Sequence, residues 1–214
     1  MTTAALQAEA RFFRVVLGRP TPESHSLLRR AGLRDILAGF AGDAVLPPRL
    51  RVPRELARLE TEHLAAFEVG LPQAPVPLIE SHWLRARAAN LILAENNCFY
   101  RAFGMSLQPG HELPDHLVCQ LAFVEYLLWA MDERESRGAE VEELRWALGD
   151  FVTLHLQSWV PAAVQAAASA RQAILPVFTA LLAALAGWLL RLGATYPGRA
   201  PTDGNAEPVA GVCS

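Results

Sequence analysis

The residues best placed to do chemistry in this chain are Asp115 and His116, which stand side by side between Pro114 and the apolar run Leu117-Val118-Cys119-Gln120-Leu121-Ala122-Phe123. An acid next to an imidazole, where a proline-rich loop becomes a helix, can do three kinds of work. It can meet a cationic ligand, assist a nucleophile, or cap the helix, whose first turn presents unpaired N–H groups and a positive dipole end. The nucleophile reading would recruit Ser81 or Cys119 in a small hydrolase. The chain has no nucleophile elbow, P-loop or glycine-rich dinucleotide fingerprint to support it. Adjacent side chains on a first turn also diverge, so Asp115 and His116 form no relay by themselves. A helical metal- or haem-binding protein is the other alternative. Its ligand pairing, a repeated Glu-x-x-His or a His-x-x-x-His, is absent among His25, His63, His82, His111, His116 and His155, which offer a single Glu-x-x-His at Glu60 and His63. The sequence therefore predicts neither catalytic nor metal-ligating residues.

Each of these side chains also has a structural reading. Asp115 after Pro114 suits a helix N-cap, and capping and ligand contact remain open together. His116 can bond across the preceding loop or hold a second polar contact. His155, between apolar neighbours, reads as a satisfied core histidine. Trp83 and Trp159 read as packing residues unless they are exposed. Gln120 fits either an adaptable polar lining or an inward hydrogen-bonding group.

The elements that must position these groups are helical. Ala4 to Leu17 has apolar residues at helical spacing and stops at Gly18-Arg19-Pro20. Thr21 or Ser24 caps a short helix carrying Leu27, Leu28 and Leu33. Leu46-Pro47-Pro48 to Val52-Pro53 is extended. From Arg54, Leu56, Leu59, His63, Leu64 and Phe67 share a helix face that ends at Gly70. The loop Leu71 to Trp83 holds Pro72, Pro75 and Pro77 and enough apolar residues to lie on the protein surface. Helices follow over Leu84 to Phe103, Asp115 to about Glu135, Glu140 to Leu148, Phe151 to Ala168 with a bend at Pro161, and Ile174 to Leu192. The apolar stretch 175–190 is shorter than the ~20 residues of a spanning helix and reads as a core helix. No internal repeat and no strand alternation appears. The expected organisation is one all-α domain, a multi-helix bundle over 1–192, followed by a disordered tail over 193–214.

Composition narrows the function classes. The 214 residues are 52% hydrophobic and 19% charged with a net charge of −3, so no broad basic surface exists for nucleic acid or anionic lipid. All basic side chains other than histidine are arginine. Cys98, Cys119 and Cys213 stand far apart, without zinc spacing, and their odd number specifies no disulfide framework. Met1 to Ala10 lacks a secretory pattern, and Arg29-Arg30 is not a twin-arginine signal, so a cytoplasmic protein without stable membrane insertion is expected.

The stretch from Asp115 to Phe123 resembles the D-H-L-x-x-E-L-x-F signature of the redox enzyme maturation chaperones, the TorD/DmsD/NarJ group, with Gln120 where that signature has its acid. Further segments are similar in order and spacing across most of 55–190. His63 to Gly70 resembles the group's Y-x-x-L-F-x-G helix end. Pro75-Val76-Pro77 with Glu80-Ser81-His82-Trp83 resembles its P-x-P-P-x-x-S-x-W/Y loop. Phe151, His155-Leu156 and Trp159 resemble its F-x-x-x-H-L-x-x-W stretch, and Pro176-Val177-Phe178 its entry to the last helix. The resemblance implies an all-helical, TorD-like, non-enzymatic chaperone. Such a protein binds the catalytic subunit of a molybdoenzyme of the dimethyl sulfoxide reductase type, at a twin-arginine signal peptide or another segment, until the molybdenum cofactor is inserted, and prevents premature export. It also implies no stably bound cofactor, at most a transient molybdopterin guanine dinucleotide or guanine nucleotide contact, and a monomer or homodimer. The expected client site is a groove between the Leu71–Trp83 loop and the Asp115 helix start, drawing on Phe67, Pro75, Pro77, Ser81, Trp83, Pro114, Asp115, His116, Gln120 and Phe123.

Overall fold

Punctuation in the sequence sets most helix ends in the computed structural model, which describes residues 2–70, 73–108, 112–170 and 174–199. Helix α1 (Thr3–Leu17) starts where the Thr2 side chain accepts from the Ala5 N–H and ends at Gly18. Thr21 and Ser24 form a capping box for α2 (Pro22–Leu28), with Pro22 in its first turn. Gly32, at φ 76°, then breaks the chain before α3 (Leu33–Ala41). Leu28 and Leu33 therefore belong to two helices rather than the single one expected, because a left-handed residue cannot continue the first.

After the extended connection come α4 (Leu56–Phe67), the single turn α5 (Glu80–Trp83), α6 (Ala89–Ala102), α7 (Leu117–Ser136) and α8 (Glu142–Phe151). A π-helical turn, Val152–Leu156, joins α8 to α9 (Val160–Ser169), and α10 (Pro176–Thr195) closes the order. The expected bend near Pro161 is a break at Trp159, which caps α9. Helix α10 runs three residues past Leu192. Among the described residues there are no strands, only an isolated antiparallel bridge between Ile79 and His116. The architecture is an all-α, single-domain bundle.

Helix α7 packs along α1, where Arg14 Nε lies 2.6 Å from Glu125 Oε2. Helix α10 packs on α3 at Gly187, where a Cβ would lie 2.3 Å from the Phe40 carbonyl oxygen, so only glycine permits that approach. Its Trp188 donates from Nε1 to Glu9 Oε2 at 2.8 Å. By length and composition α10 could cross a membrane, yet 61% of its most apolar window is buried inside the bundle, as in a core helix. A ring cluster of Phe99, Tyr100, Phe123 and Phe151 joins α6, α7 and α8, with Phe123 and Phe151 centroids 4.7 Å apart. Each such fully buried ring contributes roughly 1.5–3 kcal/mol.

Candidate functional site

The proline loop and the start of α7 meet as a short two-stranded seam. Glu80 N–H donates to the Asp115 carbonyl at 3.0 Å, and Leu117 N–H to the Leu78 carbonyl at 2.9 Å. Asp115 Oδ2 accepts from Ser81 N–H at 3.0 Å. The Asp115 carboxylate thus caps α5, across the seam, while α7 is capped by His116, whose Nδ1 accepts from Val118 N–H at 3.2 Å. This corrects the expectation that Asp115 caps its own helix. The physical reason is the bridge, which turns the aspartate toward the one-turn helix on the facing segment. The seam is braced from outside. Val76 N–H donates to the Ala66 carbonyl at 3.0 Å, Trp83 Nε1 to the Pro77 carbonyl at 2.8 Å, and the Tyr100 hydroxyl to the Pro114 carbonyl at 2.6 Å.

Beneath the seam lies a buried polar network that the sequence reading did not find. Glu80 is fully buried, and its Oε2 accepts from Asn96 Nδ2 at 2.9 Å and Gln120 Nε2 at 2.6 Å. His155 Nδ1, set by the π-helical turn, lies 3.1 Å from both Glu80 oxygens. Gln120 Oε1 accepts from Trp159 Nε1 at 3.3 Å. A buried carboxylate is tolerable only when paired and hydrogen-bonded, and here α6, α7 and the π-helical turn supply the partners. The network also explains Gln120. An acid there would set two carboxylates in contact, whereas an amide donates to Glu80 and accepts from Trp159 at once.

These contacts separate the predicted site residues into two groups. Ser81, Trp83, Pro75, Pro114 and His116 are half-buried at the surface of the seam. Asp115, Gln120 and Phe123 are each 0% exposed, and Phe67 is buried between His63 and Phe178, with ring centroids 4.9 and 5.0 Å away. The last four therefore do not line an open groove, a correction with a simple cause: hydrogen bonding zips the two expected groove walls together, and their inward side chains are core. Pro77 is buried too and acts through its carbonyl. Leu71, Pro72 and His111 lie outside the described residues.

The electrostatics oppose a hydrolase. Burial, then Glu112 and Asp115, push the Cys119 thiol up to about 11, away from a nucleophilic thiolate. Asp115 and His116 address different backbone N–H groups, so they are not in relay. Burial lowers the pKa of His116 below its ordinary value, while nearby Glu112, Glu68 and Asp115 pull the other way. His63 is lowered chiefly by burial as well. Around this end of the bundle Leu64, Val69 and Leu113 are exposed, and Glu68 and Glu112 stand among them.

Comparison with known proteins gives this surface a context. The family described as nitrate reductase delta subunit matches residues 30–165, more than half of the chain. A selenate reductase assembly chaperone protein from Thauera selenatis is 38% identical over 104 residues, covering 48% of this chain and 54% of the relative. A chlorate reductase assembly chaperone protein from Ideonella dechloratans is 35% identical over 104 residues, with the same two shares, 48% and 54%. A perchlorate reductase assembly chaperone protein from Dechloromonas aromatica (strain RCB) is 32% identical over 157 residues, covering 68% of this chain and 70% of the relative. The chain thus spans about half the length of the selenate and chlorate relatives it matches.

Proposed function

Because the chain belongs to the nitrate reductase delta subunit family, we propose that it is an assembly chaperone for the catalytic subunit of a molybdenum-containing reductase. In this reading it works in the cytoplasm, holds the subunit before the cofactor is loaded, and releases it afterwards. The handle on the client is a twin-arginine signal peptide or another segment that combines basic and apolar residues. The observation that carries the reading is the character of the seam's outer surface. Trp83 and His116 are half-buried on the seam, Glu112 and Glu68 act on His116, and exposed Leu64, Val69 and Leu113 lie within a helical turn of those glutamates along the chain. A segment with an apolar face and a few cations finds both kinds of partner there, and aromatic anchoring with few charged contacts favours reversible binding.

The test is affinity capture with the intact chain from cells expressing a candidate reductase, with cofactor content measured on whatever is bound. Capture of a reductase catalytic subunit in its cofactor-free form is the expected result. Capture of the loaded form alone, or of no catalytic subunit while the reductase is being made, would overturn the proposal. Trp83→Ala serves as the surface probe and should weaken capture while the helical content persists.

A further inference from the structure

Helices α1 and α4 both end beside the loop that precedes α7, and Arg19, Glu68, Glu112 and His63 meet there. The Arg19 side chain is 69% exposed and faces carboxylates from two different segments. Its Nη2 is 3.0 Å from Glu68 Oε2, while its Nε stays 3.8 Å from Glu112 Oε1, beyond hydrogen-bond reach.

His63 shows that acceptor capacity is left over. Its residue is only 3% exposed, and its Nε2 lies 3.2 Å from the Leu17 carbonyl, which can only accept, so Nε2 carries the hydrogen. In the neutral ring Nδ1 is then a bare acceptor. It faces Glu68 Oε1 at 3.7 Å and has no hydrogen-bond partner among the described residues. Two acceptors thus face each other at the floor of the cluster, with no donor between them among the described residues. The carboxyl-terminal dipole ends of α1 and α4 add to the preference for a cation.

We propose that Glu68, Glu112 and His63 form a receptor for an arginine side chain of a client segment, and that Arg19 is its resident occupant, displaced when the client binds. The proposal rests on the client-binding reading given above and adds the acceptors and a built-in competitor. A guanidinium carries five donors in a planar fork, enough to serve Glu68 Oε1, His63 Nδ1 and Glu112 together. Arg19 by itself meets one carboxylate within hydrogen-bond distance. An exposed ion pair is weak, which suits a placeholder and not a strut. Leu64, Val69 and Leu113 flank the carboxylates and would take the apolar residues that follow the arginine.

The experiment titrates the full chain with arginyl-arginine amide, followed by NMR of the backbone amides, and separately with a synthetic arginine-bearing segment of a reductase catalytic subunit. A resident competitor lowers apparent affinity by the fraction of time the site is free. Arg19→Ala should therefore bind the dipeptide about three- to fivefold more tightly than the native chain, the range an exposed pair allows. Adding Glu68→Gln and Glu112→Gln to Arg19→Ala should abolish that gain, with unfolding curves confirming that every variant is folded. Equal or weaker binding by Arg19→Ala, or a gain that survives both glutamine changes, would overturn the proposal. If the reductase segment binds the native chain and Arg19→Ala alike, the chaperone reading stands and the competitor falls. If the dipeptide behaves as expected and no reductase segment binds, the arginine receptor stands and the chaperone reading falls.

Discussion

Glu80 and Glu68 are both glutamates on the same side of the bundle, yet they live in opposite surroundings. Glu80 is fully enclosed, and Asn96, Gln120 and His155 all engage its carboxylate. Glu68 is at the rim with its side chain 25% exposed, shared between an exposed arginine and a buried histidine. The enclosed carboxylate is out of reach of solvent and holds the proline loop to the helices behind it. The rim carboxylate is under-used and exchangeable. Burial with full satisfaction marks scaffolding, and partial satisfaction at an edge marks recognition, even when the residue type is the same.

The comparison predicts its own breaking points. The largest effect belongs to Glu80→Ala, which strips the network of its shared acceptor. The donors of Asn96, Gln120 and His155 then lose their acceptor, at about 1–3 kcal/mol for each buried group left unsatisfied, readable as a lower urea midpoint. An equal loss at Glu68→Ala would erase the distinction.

Gln120→Glu should come next, at about 1–3 kcal/mol near neutral pH, because two carboxylates would then lie at hydrogen-bond distance. Their mutual repulsion raises the pKa of the folded pair. The loss should therefore be present at pH 7 and should fade as pH drops toward about 4.3, the ordinary glutamate value. Chemical denaturation across that range checks both size and sign.

The rim predicts the reverse slope. Burial holds His63 and His116 below their ordinary pKa of 6.5. Between the folded value and 6.5 the unfolded chain binds more protons, so stability rises with pH there. The native chain should keep its full stability above 6.5 and lose some as pH falls below it, with a flatter profile in His63→Gln. A profile unchanged by that substitution would remove His63 as a contributor.

The smallest effect on stability is expected from Arg19→Ala, within about 1 kcal/mol, as for exposed ion pairs generally. Thermal unfolding checks it, and a larger loss would make Arg19 a strut and bring the rim closer to the interior.

Much of the helical plan was legible from local chemistry. Gly18 and Pro20 end α1, Thr21 and Ser24 cap α2, and Pro176 opens α10, because caps and breakers act within a turn of themselves. The Gly32 break is not legible, since a glycine beside an apolar run reads equally as helix or stop. The Asp115-His116 junction and a satisfied, buried His155 are both legible in the sequence. The groove assigned around that junction was not how the chain is arranged. Nothing local says that Leu78–Glu80 will pair with residues 115–117 and turn Asp115 toward Ser81.

By itself, then, the sequence determined that the chain is helical, where most helices stop, that it offers no broad basic surface, and which family its motifs resemble. These properties depend on side-chain types and spacings within a few residues. Only the tertiary structure decided that Glu80 is interior and Glu68 is rim, that Gln120 answers to Glu80, and that Arg19 sits on acceptors contributed by two other segments. Glu80 meets His155 across 75 positions of chain. Burial and partner are properties of packed neighbours, and packing over such separations is set by the whole core at once.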